Sequence, residues 1–325
     1  MLSGIQPTGA IHLGNYLGAL RQWALDQHEH DSFFCVVDLH ALTVEQDPAE
    51  LRAKTAEVAG ILLAAGLDPD VCTLFVQSHV GEHPRLAWLL ECVAAFGELR
   101  RMTQFKDKTA KGGEGAARVG LFTYPVLQAA DILLYQADRV PVGDDQRQHL
   151  ELCRDVALRF NQRYGEVFKV PEAAIPKVGA RVMDLQEPGQ KMSKSSSSPQ
   201  GIVYVLEPPE AIAKKIKRAV TDTDSSVRFD REAKPGVSNL LELLAVATGS
   251  SPAEVAERYT QYGPLKADAA EAVVELLRPL QARYAELAAD PGYVRDVLDK
   301  GAAKAEAVAS ETYRRAADAM GLLPR

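Results

Sequence analysis

The run Ser32-Phe33-Phe34-Cys35-Val36-Val37-Asp38 is apolar without alternation and ends in a carboxylate. A short segment of that kind is a strand covered on both faces, as in a parallel sheet. Pro48 to Ala65 follows as a helix, Thr73-Leu74-Phe75-Val76-Gln77 as the next strand, and Pro84 to Ala95 as another helix with proline in its first turn. This βαβα rhythm specifies an α/β fold on a doubly wound parallel sheet, with ligands at the carboxyl ends of the strands. His40, just past Asp38, and Ser78 or His79, just past the second strand, stand near that crevice or serve as plain capping and surface residues.

Upstream, Ser3-Gly4-Ile5-Gln6-Pro7-Thr8-Gly9-Ala10-Ile11-His12-Leu13-Gly14-Asn15 feeds the amphipathic run Tyr16 to Trp23. It reads as a loop entering a helix whose N-terminus offers unpaired N–H groups to an anion. Gly9 and Gly14 let the backbone approach a nucleotide, although an ordinary β-to-α turn has the same composition. Only Met1 and Leu2 precede the loop, so the first strand is expected to be almost absent, or the start codon placed too late.

Downstream, Arg100 to Arg118 is basic and glycine-containing, either a solvated face or a loop that closes over polyphosphate. In Tyr124-Pro125-Val126-Leu127-Gln128-Ala129-Ala130-Asp131-Ile132-Leu133-Leu134-Tyr135, proline is expected to open a helix. Tyr124, Gln128 and Asp131 fall at i, i+4 and i+7, on one face of that otherwise apolar helix. An aspartate in such surroundings must find a donor, from a ligand or from a structural partner, or become protonated. Val140-Pro141-Val142-Gly143-Asp144-Asp145-Gln146 is a short strand ending in polar groups that suit a ribose or an ammonium, or that cap the helix Gln148 to Tyr164.

A last strand, Ala180 to Leu185, leads to Lys191-Met192-Ser193-Lys194-Ser195, a mobile surface loop carrying two ammonium groups. Helix then follows helix: Pro209 to Val220, Ser238 to Thr248, Pro252 to Tyr259, Leu265 to Leu287 and Asp290 to Met320. The α/β domain is expected to span 1–190, ending at the 191–195 loop, and an all-helical domain 196–325, its last helix free to pack back on the first domain.

The 325 residues suffice for two domains, and 46% hydrophobic with 25% charged residues is ordinary globular composition. No apolar run approaches the about 18 residues that span a bilayer, so no membrane partner is expected and a cytoplasmic address is. Cys35, Cys72, Cys92 and Cys153 are scattered singly among apolar neighbours, which favours buried thiols over a metal site. A net charge of −7 argues against broad nucleic-acid binding but leaves room for a local basic face.

The stretch Ser3 to Asn15 resembles the HIGH element of class I aminoacyl-tRNA synthetases, and Lys191-Met192-Ser193-Lys194-Ser195 is similar to their KMSKS loop letter for letter. With SGIQPTG and HLGN come GELRRMTQFKDK from Gly97, YPVLQAADILLY from Tyr124, VPVGDDQ from Val140, RFNQRYG from Arg159, IPKVGARVM from Ile175, AVTD from Ala219 and SNLL from Ser238. In that order along nearly the whole chain, they make it similar to the bacterial tryptophanyl-tRNA synthetases. The resemblance implies a Rossmann-type catalytic domain, a helical anticodon-binding domain and a homodimer that activates tryptophan with MgATP and esterifies tRNA(Trp).

By position in the family pattern, His12 and Asn15 would contact ATP and Lys191 and Lys194 would close on its β- and γ-phosphates, with magnesium held through the phosphates rather than by side chains. Gln104, Lys106 and Lys108 would hold the pyrophosphate, and Gln6 and Asp145 would lie near the α-phosphate and ribose. Thr8, Gly14, Gly143, Met192, Ser193 and Ser195 complete the implied ATP site. Asp131 would accept the indole N–H, Tyr124 and Gln146 would hold the ammonium, and Gly4, His40, Gln128, Val140 and Val142 would line the tryptophan pocket. Phenylalanine should then be rejected because it leaves Asp131 unpaired.

The sequence departs from the pattern at Leu2, where many relatives have Phe, at Gln128 for Met, at Leu39 for Gln and at Ser196 for Asp. Lys214-Lys215-Ile216-Lys217-Arg218 is either a phosphate contact or a solvated helix face. A tyrosine-specific synthetase of the same subclass would need polar partners for a phenol hydroxyl, and an inactive paralogue would not need His12 together with both lysines.

Overall fold

β1 (Leu2–Ile5) is made by the glycine-containing opening stretch itself, which pairs in parallel with β2 (Phe33–Val36), Leu2 opposite Phe33 and Ile5 opposite Val36. The expectation of an almost absent first strand is corrected: a ladder is built from backbone groups, so Ser3 and Gly4 are no obstacle to it. Glycine at position 4 leaves room for Val37, since a Cβ there would lie 2.8 Å from Val37 Cγ1. The computed structural model describes residues 1–109, 117–141, 143, 146–174, 182–193, 198–224 and 226–324, the side chains of Lys108 and Ala174 excepted.

The chain continues through α1 (Leu13–Asn15), a π-helical turn at Tyr16–Leu20 and α2 (Arg21–Asp26) before β2. After β2 come α3 (Asp38–Ala41) and α4 (Pro48–Ala64), the latter capped by the Asp47 carboxylate, which accepts from the Ala49 and Glu50 N–H groups. β3 (Thr73–Val76) pairs in parallel with β2, giving the order β1-β2-β3. α5 (Glu82–Glu91), α6 (Phe96–Arg100), α7 (Thr103–Thr109) and α8 (Val119–Leu134) follow. β4 (Arg139–Pro141) then pairs in parallel with β5 (Glu172–Ala174) across α9 (Arg147–Tyr164).

β1 packs beside β4. The two parallel sheets, β1-β2-β3 and β4-β5, therefore meet at β1 and β4, the kind of junction at which α/β folds open a ligand crevice. Alternation along the strands divides two cores. Phe34, Val36, Leu74 and Val76 join Leu20, Trp23, Val58 and Leu62, whereas Phe33, Cys35 and Phe75 join Leu86, Leu90, Ile132 and Val156. Covering both faces is what makes the sheet doubly wound, and it explains why the strands read as unbroken apolar runs.

α10 (Pro209–Lys217), α11 (Pro235–Thr248), α12 (Pro252–Ala256), α13 (Tyr262–Ala289) and α14 (Pro291–Ala319) form the helical part. The first core runs on into it through Ile212, Leu240, Leu265 and Leu277. α14 lies along β3, close enough that a methyl group on Gly301 would overlap the Leu74 carbonyl oxygen.

Three further expectations change. Pro125 does not open its helix; it sits inside α8, seventh from Val119, where the missing N–H costs one bond that the buried apolar face of the helix outweighs. The strand expected over Ala180 to Leu185 lies partly outside the described residues, and from Val182 onward there is only an antiparallel bridge, Met183 with Lys191. Cys35, Cys72 and Cys153 are buried, and burial pushes all three thiols up, Cys72 to about 11, but Cys92 is exposed.

Candidate active site

His12 caps α1, its Nδ1 accepting from the Asn15 N–H at 3.2 Å while Asn15 Oδ1 accepts from the His12 N–H at 3.1 Å. This reciprocal box fixes the ring of a residue only 5% exposed. Gly9 enters the turn at φ +64°, a conformation that only glycine adopts freely. A Cβ on Gly14 would come within 3.0 Å of His12 Nδ1 and 3.7 Å of Val182 Cβ.

Val182 is the link between the two motifs. Its carbonyl accepts from the Met192 N–H at 3.0 Å, and the Asp184 N–H donates to the Gln190 carbonyl at 2.9 Å. The lysine stretch is thus carried on an antiparallel turn against the start of α1. Met192 is buried, Lys191 is exposed and Ser193 is half-buried. The turn is fixed from behind by buried Asn239, which bonds both backbone groups of Met183. Lys194 and Ser195 lie outside the described residues, as do Val142, Asp144 and Asp145 and the Lys108 side chain. Gln6 and Gly4 are exposed at β1, Thr8 is half-buried in the loop after it, and Gly143 and Lys106 are exposed.

The tryptophan-side residues gather around α8. Tyr124 Oη donates to Gln104 Oε1 at 2.9 Å and lies 2.8 Å from His149 Nε2; burial pushes its hydroxyl up to about 12. Its ring stands edge-on to His40 at 6.2 Å between centroids. Gln128 Nε2 reaches Gln146 Oε1 at 3.4 Å, and Val140 is buried nearby on β4.

Asp131 is the centre of this group and is not short of donors. His40 Nε2 is 2.7 Å from Oδ2, His83 Nδ1 is 2.6 Å from Oδ1, and the single amide nitrogen of Gln77 spans both oxygens at 2.8 and 2.9 Å. Burial opposes ionisation, but attraction from His40 and hydrogen bonds from His40 and His83 outweigh it and hold the carboxyl well below the usual range. With all four acceptor positions filled, phenylalanine in the pocket would leave Asp131 fully bonded, and the penalty expected for an orphaned acceptor is absent.

Gln77 and His83 are partners of Asp131 that the sequence reading passed over, the first counted as the end of a strand and the second as preceding a helix. Ser78 instead bonds Asp38 through its N–H at 2.9 Å, and His79 is exposed. In the basic run on α10, Lys215 is buried, donating to the Ile202 carbonyl at 2.7 Å and pairing with Glu207, so it is not available to phosphate.

A family model described as tRNA synthetases class I (W and Y) matches residues 1–278. Tryptophan–tRNA ligase 2 of Streptomyces avermitilis is 58% identical over all of this chain and 97% of its own length. The tryptophanyl-tRNA synthetase of Mycoplasma pneumoniae superposes with a TM-score of 0.90 at 38% identity, covering 99% of this chain and 97% of that one. The Campylobacter jejuni tryptophanyl-tRNA synthetase complexed with ADP and tryptophan gives 0.86 at 35% identity, covering 99% of both chains. Parallel sheets β1-β2-β3 and β4-β5, two motifs joined through Val182 and likeness over full length converge on one conclusion: the chain belongs to the class I tRNA synthetases of the tryptophan and tyrosine type.

Proposed function

We infer that this chain is a tryptophan–tRNA ligase. The observation that carries the reading is the junction of the two motifs at Val182, which lies against Gly14 of the capped His12 turn and bonds Met192 of the Lys191 turn. Full-length likeness to tryptophan–tRNA ligases supports the choice of amino acid.

The tryptophan carboxylate attacks the α-phosphorus of ATP in line, the α–β bridging oxygen leaves with pyrophosphate, and tryptophanyl-adenylate remains. No protein nucleophile takes part, so catalysis rests on positioning and charge stabilisation. His12, Asn15, Gly14 and Thr8 receive the nucleotide, and Lys191 with Lys194 neutralises the phosphates, aided by magnesium that enters as MgATP. Gln6, Gly143, Asp145, Met192, Ser193 and Ser195 complete that cradle, and Gln104, Lys106 and Lys108 receive the pyrophosphate. A terminal hydroxyl of tRNA(Trp) then attacks the acyl carbon and releases AMP.

In the amino-acid pocket, Tyr124 and Gln146 hold the ammonium, and Gly4, His40, Gln128, Val140 and Val142 form the walls. Asp131 accepts the indole N–H when the Gln77 amide, which bridges both oxygens, withdraws to one of them. Residues 1–190 act as the catalytic unit and 196–325 as the anticodon-binding unit. The enzyme works in the cytoplasm as a homodimer that covers the exposed Trp88 of α5, Phe96 of α6 and Val119 of α8.

The test is amino-acid-dependent exchange of pyrophosphate into ATP, with tryptophan and tyrosine in parallel. Exchange with tryptophan alone is expected. Exchange with tyrosine instead would overturn the pocket, and exchange with neither would make the chain a binding protein of this fold.

A further inference from the structure

Behind Asp131, on the side away from His40, stands a histidine that the activation chemistry does not use. His83 is fully buried in the first turn of α5, its ring packed between Phe75 and Tyr135 at centroid distances of 5.8 and 5.6 Å. Nδ1 faces Asp131 Oδ1 at 2.6 Å, and Nε2 faces the Tyr135 hydroxyl at 2.8 Å. Tyr135 is itself 7% exposed, and its hydroxyl has no second protein partner among the described residues.

The proton inventory of this chain has one consistent solution. The phenol keeps its proton, because burial pushes the hydroxyl far above its ordinary value. That proton can be accepted only by His83 Nε2, so the ring is the neutral form with its hydrogen on Nδ1, donating to Asp131. A doubly protonated His83 would turn Nε2 into a second donor facing the hydroxyl and would strand the phenol proton in an apolar pocket.

We propose that Tyr135 and His83 are positioning residues for tryptophan recognition: Tyr135 holds His83 as a neutral donor, so that Asp131 is oriented from behind without its negative charge being cancelled. This rests on the reading that Asp131 receives the indole N–H. An imidazolium at His83 would instead form a compensated ion pair, and the carboxylate would be a weaker acceptor for the ligand. The other titratable groups against this cluster are His40 on α3, Cys35 on β2, Glu82 on α5 and Cys153 on α9, and each is unchanged in the variants below.

The test uses the full chain in pyrophosphate exchange, with KM for tryptophan and for ATP measured separately. Tyr135→Phe keeps the ring and removes only the hydroxyl. Its tryptophan KM is expected to rise about tenfold with the ATP KM unchanged. His83→Asn, whose amide is a neutral donor, should keep tryptophan KM within about threefold of wild type, whereas His83→Leu should raise it about tenfold. Equal changes in both KM values, a tryptophan KM in Tyr135→Phe that matches wild type, or no difference between His83→Asn and His83→Leu would show a merely structural pair and overturn the inference. Wild-type exchange without tryptophan dependence, or Asp131→Asn with an unchanged tryptophan KM, would remove the underlying reading instead.

Discussion

Asn239 closes two hydrogen bonds on Met183, its Oδ1 accepting from the backbone N–H at 3.0 Å and its Nδ2 donating to the carbonyl at 3.1 Å. The amide is 2% exposed, so it replaces a missing strand neighbour for the turn that presents Lys191. Asn239→Leu fills the space but orphans both backbone groups, which costs about 2–4 kcal/mol of stability. With the turn loosened, kcat for exchange should fall about tenfold while the tryptophan KM holds, because the amino-acid pocket is built on other elements. Denaturant unfolding alongside steady-state exchange would check both.

Acid stability follows from Asp131. Its carboxyl is held below the ordinary value of 3.8, so the stabilisation from its four bonds is complete above that value and is lost as pH falls below it toward the folded-state pKa. The Tm difference between wild type and Asp131→Asn should therefore be constant from neutral pH down to about 5 and shrink below about 4. A difference that grows as the pH falls would contradict this assignment.

Gly301 tests the packing of α14 on β3. Gly301→Ala places a methyl group onto the Leu74 carbonyl oxygen, which the strand cannot move without breaking its ladder. The expected loss is about 3 kcal/mol, measured by denaturant unfolding. Gly263→Ala, at a helical glycine with open space around it, should be neutral or slightly stabilising.

The proposed dimer face is tested by charge. Trp88 is 65% and Phe96 69% exposed, and a partner copy would cover them. Trp88→Glu with Phe96→Glu should convert the protein from dimer to monomer in light scattering at micromolar concentration. A wild-type monomer would contradict the proposal.

How far the sequence carried can be seen at particular residues. Phe33 to Val36 and Thr73 to Val76 were legible as strands because both faces are buried, and the helices starting at Pro48, Pro209 and Pro252 because proline marks their first turn. β1 was underread because Ser3 and Gly4 stand between its two apolar residues, Leu2 and Ile5, and leave no apolar run. Pro125 misled because propensity rules describe isolated helices, whereas α8 is buried between α5 and α9. Asp131 announced itself as a buried carboxylate in an apolar helix, but its donors come from residues 48, 54 and 91 positions away, and no local pattern points to them. Lys215 looked like its neighbours in a basic run until the turn of α10 carried it inward.

On the proposed reading two jobs are separate, phosphate binding by the Lys191 turn and indole recognition by the Asp131 cluster. The most direct measurement is the pair of KM values in pyrophosphate exchange for Lys191→Ala and Asp131→Asn. Lys191→Ala is expected to lose about a hundredfold in kcat/KM for ATP with little change in the tryptophan KM, and Asp131→Asn to raise the tryptophan KM about tenfold with ATP unaffected. If both variants impaired ATP and tryptophan alike, or if Asp131→Asn left tryptophan untouched, the division of labour would be wrong.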